Sequence, residues 1–192
     1  MKVVECFYDV ETTGLEINEG AVVVQFACQI VEDGTVMHEM NAFINPYSYN
    51  GGVTINPKAL EINGIDKEDL EGFEDLELVV NKLMHLLTVN YPTTKLTLVG
   101  YNNSTFDKYF LEAMFKNVGK SYSTYFNWKQ IDIFETTKYL QHIGFMGRTY
   151  NQKLQTIATY LKVVPEDWDW HDAMADVIAT RKISEKFKES LL

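Results

Sequence analysis

Two carboxylates spaced two residues apart, Asp9 and Glu11, close the first apolar run of the chain in Cys6-Phe7-Tyr8-Asp9-Val10-Glu11-Thr12-Thr13-Gly14. Alternate residues of a strand face the same side, so this spacing sets both acids on one face. Two like charges there raise at least one pKa unless a cation neutralises them, which makes the pair sensible chiefly around a hard metal ion. Solvated acids at an exposed strand end are the competing reading. A third acid, Asp107, follows the polar turn Asn102-Asn103-Ser104-Thr105, which carries an apolar run into a helical pattern. Ligands collect at the ends of strands in α/β sheets, although an acid favoured by a helix N-terminus would read the same way. The fourth, Asp176, stands at the head of the last helical run in Trp170-His171-Asp172-Ala173-Met174-Ala175-Asp176. Small Ala173 and Ala175 allow that helix a close approach. His171, five residues ahead of Asp176, does not share its helix face and belongs in the preceding loop, free to swing over the acids. Beside such a cluster an imidazole suits a general base, because it takes up a proton near neutral pH.

These groups need elements to hold them. Residues 3–10, 21–31 and 36–44 read as three strands rich in Val, Ile, Phe and Tyr, separated by turns at Gly14, Gly20 and Gly34. Their short connections predict antiparallel neighbours. A polar, Gly-rich loop over 47–53 follows, and then Leu76, Val79, Val80, Leu83, Met84 and Leu87 keep the spacing of an amphipathic helix. Residues 96–101 form a short apolar strand, and 105–118 a helix with Phe106, Phe110, Met114 and Phe115 as core candidates. Two more helices are predicted over 131–140 and through Leu154, Ile157, Ala158 and Leu161, with Asp132 and Asn151 as N-caps. The last helix starts near Asp172 and runs to the C-terminus, Asp172 being a solvent-facing acid of its first turn. A three-strand meander followed by alternating helices and strands gives an α/β domain, a mixed sheet flanked by helices.

Composition sets the outer bounds. At 192 residues the chain suits one domain, and 46% hydrophobic with 13% aromatic residues is too apolar for a disordered chain. Cys6 and Cys28 lie in apolar runs without metal-type spacing and read as buried, reduced thiols. Glu5 interrupts the place where a signal peptide would run apolar, and no stretch reaches about 18 apolar residues, so a cytoplasmic protein without a membrane partner is expected. The formal net charge of -10 argues against a partner held mainly by electrostatics on a polyanion.

Three segments together closely resemble the DEDDh class of 3′–5′ exonucleases, the family of the epsilon proofreading subunit of bacterial DNA polymerase III, RNase T and oligoribonuclease. They are Asp9-Val10-Glu11-Thr12-Thr13-Gly14, then Asn103-Ser104-Thr105-Phe106-Asp107, then His171-Asp172-Ala173-Met174-Ala175-Asp176. The intervening Ile55-Asn56-Pro57-Lys58-Ala59-Leu60-Glu61-Ile62-Asn63-Gly64-Ile65 is similar to the segment that lines the family's substrate groove. The resemblance implies a single exonuclease domain over 1–192 with an RNase H-like fold and a five-stranded mixed sheet flanked by helices. It implies two divalent ions, Mg²⁺ or Mn²⁺, held by Asp9, Glu11, Asp107 and Asp176, with His171 as the base that deprotonates water. The product would be nucleoside 5′-monophosphates released from the 3′ end of single-stranded nucleic acid, DNA being favoured. Thr12, Thr13, Gly14, Asn63, Ile65, Asn103 and Phe106 would bind substrate. Asn63 stands where the family has a His, as does Asn102. A proofreading or trimming subunit bound to a polymerase, a homodimer, and an exoribonuclease on RNA or short oligonucleotides are the alternatives, and a bacterial or viral source suits a stand-alone nuclease of this build.

The distribution of charge narrows the inference from the total. Residues 1–106 hold 5 basic and 16 acidic side chains, 107–162 hold 8 against 4, and 163–192 hold 4 against 7. The basic middle segment is the expected track for a short stretch of phosphates, so the charge disfavours long, tight, non-specific DNA binding and leaves room for a grip on a few terminal nucleotides.

Overall fold

The computed structural model describes residues 4–191. Val3, where the first strand was expected to begin, and Leu192, the expected end of the last helix, lie outside the described residues. The meander is present as β1 (Val4–Thr12), β2 (Val23–Glu32) and β3 (Thr35–Phe43), each antiparallel to the next. Asp33 and Gly34, both at positive φ, make the two-residue turn between β2 and β3, a geometry that matches the twist of the strands it joins. β4 (Thr97–Gly100) and β5 (Ile131–Asp132) add in parallel on the other side of β1, giving the mixed order β3-β2-β1-β4-β5. The helices are α1 (Pro57–Ile62), α2 (Leu76–Asn90), α3 (Asp107–Asn117), α4 (Ile133–His142), α5 (Leu154–Leu161) and α6 (Ala173–Leu191).

Three boundaries differ from expectation, each for a local reason. The helix expected from residue 131 starts at Ile133, because Ile131 and Asp132 pair with β4 as the fifth strand. Two residues are too few to display a strand period. Asp132 does cap α4, accepting from Phe134 N at 3.0 Å. Asn151 does not occupy the capping position of α5, which belongs to Lys153; its Oδ1 instead accepts from Lys153 N at 2.9 Å and shapes the approach to the helix. α1 was not read as a helix, although Asn56 followed by Pro57 is a start signal: Asn56 Oδ1 accepts from Lys58 N, and proline fits the first helical position.

Period-two alternation on β1 divides the molecule. Cys6, Tyr8 and Val10 face one layer and pack with Phe26, Cys28 and Ile30 against α2 and α3. Phe7 faces the other, packing with Ala27, Val31 and Val99 against Ile133, Ile157, Val177 and Ile183 of α4, α5 and α6. Burying each such side chain contributes about 1.5–3 kcal/mol. Asp9 and Glu11 continue the Phe7 face, so α6 covers β1 first with apolar contacts and then, at the strand's C-terminal end, with Asp176. Glu5, at the other end of this face, pairs with Lys188 at 2.7 Å, which fixes helix and strand antiparallel. The two cysteines are buried and free, and hydrogen bonding to Cys28 together with burial pushes the Cys6 thiol well above its usual value. Among the described residues no helix is long and apolar enough to cross a membrane.

This division makes the α6–β1 contact the mechanical base of the acidic end. Ile183→Ala, at a fully buried position, is expected to cost about 2–5 kcal/mol in urea unfolding, whereas Leu15→Ala, at a residue 75% exposed, stays within about 0.5 kcal/mol.

Candidate active site

The acidic end of β1 collects side chains from three separated parts of the chain. Glu11 is 9% exposed and Asp107, first residue of α3, only 5%. Asp107 Oδ1 accepts from the backbone N–H of Val10 at 3.2 Å, which ties the start of α3 to β1 between the two strand acids. Ligand atoms of Glu11, His171 and Asp176 all lie within 4.8 Å of one another. Oδ1 of Asp176 is buried without a hydrogen-bond partner. Asp9 feels the charges of Asp107, Asp176 and Glu11. The four acids expected to hold metal are thus one electrostatic cluster, and His171 stands against it.

Burial and mutual repulsion push every one of these carboxyls upward. Burial, then the charges of Asp107, Asp176 and Glu11, holds Asp9 well above the usual carboxylate range. Glu11 rises to about 8 through burial, then Asp176 and Asp107. Asp107 rises to about 7, chiefly through burial, with the Val10 N–H pulling the other way. Asp176 also rises to about 7 through burial and the charge of Asp172, partly offset by hydrogen bonding from the His171 backbone. Such a set is starved of positive charge. Several carboxylate oxygens, one of them buried and unpartnered, fit a hard divalent cation. His171 is exposed and sits at φ 68°, a left-handed conformation uncommon for a non-glycine residue, at the end of the loop into α6.

Several expectations need correction. Asp172 does not face solvent freely: its Oδ1 accepts from Ala175 N at 2.9 Å, capping α6, and its Oδ2 accepts from Gln25 Nε2 at 2.7 Å. Gln25 also accepts from Ala173 N and donates to Asn41, so this buried amide clamps the head of α6 to β2 directly opposite Glu11. Composition and spacing gave no sign of Gln25. Thr13 is 0% exposed, and its hydroxyl accepts from Val22 N, so it closes the turn after β1 and offers no side-chain surface to a ligand. Asn103, also 0% exposed, packs against Gly100 and reaches Gln130 and the Tyr8 hydroxyl. Ile65 is buried in a satellite core with Val24, Leu60 and Leu70. Thr12 is buried too, its hydroxyl donating to Gly14 O. Gly14 borders a small cavity with Thr54 and Asn56, and half-buried Asn63 donates to Thr12 O at 3.1 Å. Phe106 remains accessible, bordering a cavity of about 410 Å³ between Leu15–Asn18 and α3.

The raised carboxyls fix a direction of pH dependence. A folded value of about 8 against an ordinary 4.5 for Glu11 means that the folded chain holds protons which the unfolded chain has already released. The metal-free protein therefore loses stability as pH rises from about 4.5 to about 8. Thermal unfolding in EDTA across this range is expected to show a falling Tm, and millimolar Mg²⁺ or Mn²⁺ is expected to flatten the slope. A Tm that rises with pH in EDTA would contradict the clustering.

Comparison with known proteins follows the same lines. No protein of curated function matches the chain by sequence. The fold matches a zinc-bound complex of E. coli exonuclease I with single-stranded DNA at a TM-score of 0.81 and 19% identity, over 98% of this chain and 41% of that one. It matches a product-bound structure of exonuclease I at 0.79 and 19%, over 98% and 44%, and E. coli exonuclease I with a dT13 oligonucleotide at 0.78 and 20%, over 98% and 41%. This likeness is one of fold, and the chain spans about two fifths of the length of those proteins. The sequence model of the exonuclease family RNase_T matches residues 6–184, from the second turn of alternation on β1 to the middle of α6. With that match running through all three acidic segments, this chain belongs to the RNase_T exonuclease family.

Proposed function

We propose that the chain is a metal-dependent 3′–5′ exonuclease that removes nucleoside 5′-monophosphates from the 3′ end of single-stranded nucleic acid, DNA being favoured. The observation that carries this reading is the convergence of Glu11, His171 and Asp176 within 4.8 Å, beside Asp9 and Asp107, at the C-terminal end of a central strand. Asp9, Glu11, Asp107 and Asp176 would hold two divalent ions, Mg²⁺ or Mn²⁺. When bound, such ions supply an activated water and stabilise charge on the leaving 3′-oxygen. His171, exposed and hinged at the loop, accepts the proton of the attacking water through its imidazole. Asp172 and Gln25 keep the head of α6 at the height of Glu11, and so set where His171 pivots. Phe106 and the cavity it borders take the terminal nucleoside, while Thr12, Thr13, Gly14, Asn63 and Asn103 shape that wall from behind. A single domain working in the cytoplasm on free 3′ ends suits this arrangement.

One assay tests the reading. 5′-labelled single-stranded DNA, duplex DNA and RNA are incubated with Mg²⁺, Mn²⁺ or EDTA. Single strands are expected to shorten from the 3′ end with either metal and to stay intact in EDTA. Asp9→Ala is expected to abolish hydrolysis while leaving the metal-free protein at least as stable, since it relieves repulsion. His171→Ala is expected to lower kcat about 10²- to 10⁴-fold with cation binding, read by calorimetry, retained. Full activity of Asp9→Ala would overturn the assignment of the site.

A further inference from the structure

Two glutamines interrupt the Val-, Ile- and Phe-rich run of β2. Gln25 and Gln29 stand four residues apart, on one face of the strand. They are 1% and 4% exposed. Their face is the one that α6 covers, since Ala27 and Val31 on it pack with Val177 and Ile183. Apolar side chains would fill both places as well as the neighbouring ones do, and a buried amide is tolerated only where its polar atoms find partners. The partners of these two show what an apolar residue could not do.

Gln25 Nε2 donates to Asp172 Oδ2 at 2.7 Å and to Asn41 Oδ1 at 3.0 Å, and its Oε1 accepts from Ala173 N at 3.3 Å. Gln29 Nε2 donates to Glu39 Oε2 at 2.7 Å, and its Oε1 accepts from Arg181 Nε at 2.7 Å. Each amide therefore holds β3 on one side and α6 on the other. Arg181 is itself steadied by an ion pair with Glu185. The spacings agree between strand and helix. Four residues of strand cover about 13 Å, and the nine positions from Asp172, the cap of α6, to Arg181 cover about 13.5 Å of helix. α6 is antiparallel to β1 and so runs with β2, which lets one register satisfy both attachments. Asp176 lies between them, about one turn from each. Apolar contacts have no direction and would let a helix slide along the sheet, whereas hydrogen bonds break when it does.

We propose that Gln25 and Gln29 are positioning residues of the nuclease: a two-point register that fixes the height of α6 on the sheet and with it the places of Asp176 and His171. The proposal rests on the exonuclease reading of the catalytic cluster. One attachment at Gln25 would fix the head of α6 and leave the helix free to tilt about it; the second, through Arg181, removes that freedom. A slip of α6 by one residue carries Asp176 about 1.5 Å, and a misplacement of about 1 Å in a reacting constellation costs on the order of 10²-fold in rate. Neither glutamine touches the site, so both act through the helix that carries its groups.

The test reverses one hydrogen bond. Gln25→Glu sets a carboxylate against Asp172, and Asp172→Asn sets two amide donors against each other; the double variant Gln25→Glu/Asp172→Asn restores the contact with donor and acceptor exchanged and keeps the parent's net charge. Each single variant is expected to lower kcat on a single-stranded oligothymidylate about 10- to 10²-fold, with KM within about threefold, and to weaken Mn²⁺ binding, read by calorimetry. The double variant is expected to return both quantities to within about threefold of the parent. The singles change the charge in opposite senses, so an effect of charge alone would move kcat in opposite directions. Gln29→Met, which removes the second attachment at similar volume, is expected to lower kcat about tenfold. Loss of Tm in Gln25→Glu and Gln29→Met with kcat and Mn²⁺ affinity unmoved would make the amides scaffold only and overturn the register, as would a double variant no better than its singles. A parent that hydrolyses nothing, while Mn²⁺ affinity falls in the singles and returns in the double, would refute the exonuclease reading and leave the register standing.

Discussion

Carboxylates gathered in a half-buried site repel one another, and the arrangement of this protein follows from what must hold them in place. Asp9 and Glu11 share a face of β1 with Phe7 and Glu5. Along that face α6 makes an ion pair, then an apolar seam with Val177 and Ile183, and only then meets the acids. The favourable contacts lie on the same two elements as the unfavourable ones, a few residues away, so the helix cannot retreat from the charges without opening the core. Gln25 adds the last constraint. It stands opposite Glu11 in the β1–β2 register, and through Asp172 and Ala173 it fixes the start of α6 at the height of the site.

Much of this was legible in the residue pattern, and the rest failed for identifiable reasons. The two-residue spacing of Asp9 and Glu11 says that they share a face, and the meander of Val- and Ile-rich runs gives three of the five strands. β5 is two residues long and carries no period of its own; what marks it is Asp132, whose carboxylate binds Asn102 N, Ser104 N and Phe134 N and so couples the β4–α3 turn to the strand beside it. A capping role was visible, but the long-range half of its work was not. The same limit applies to Thr13 and Asn103. A motif places polar residues near a site without saying which way they point: the Thr13 hydroxyl accepts from Val22 N, and Asn103 donates from Nδ2 to Gln130 and the Tyr8 hydroxyl while its Oδ1 stays buried and unpartnered.

Charge is another quantity that a total conceals. The acids of the first 106 residues include two that converge on the site, while the cations Arg148 and Lys153 belong to the connection between α4 and α5. Folding separates these populations: the acidic cluster sits at the strand ends, Lys153 borders a cavity that His171 and Asp176 also line, and Arg148 borders a second cavity on the other side of Gln155. The whole-chain charge disfavours wrapping along a polymer, and the local one supports holding an end.

The elevated carboxyls also bear on which cation the site accepts and how it stays in order without one. Burial first and neighbouring charges second push Asp107 and Asp176 up to about 7 and Glu11 up to about 8, so protonation near neutral pH relieves part of the repulsion that the apolar seam would otherwise carry alone. A monovalent cation brings the same charge as one proton but forms no covalent bond to a carboxylate oxygen, so it gains little by displacing one. A divalent ion would displace protons and bring twice the charge to these carboxylates, and Asp176 offers it a buried Oδ1 that has no other partner. The imidazole of His171 lies beside these carboxylates, with a ring nitrogen within 4.8 Å of Glu11 and Asp176 oxygens. It is carried on a loop whose left-handed backbone turns the chain into α6, exposed to solvent on one side and facing Glu11 and Asp176 on the other. The carboxylates are therefore locked by packing, while the imidazole beside them is carried on an exposed loop.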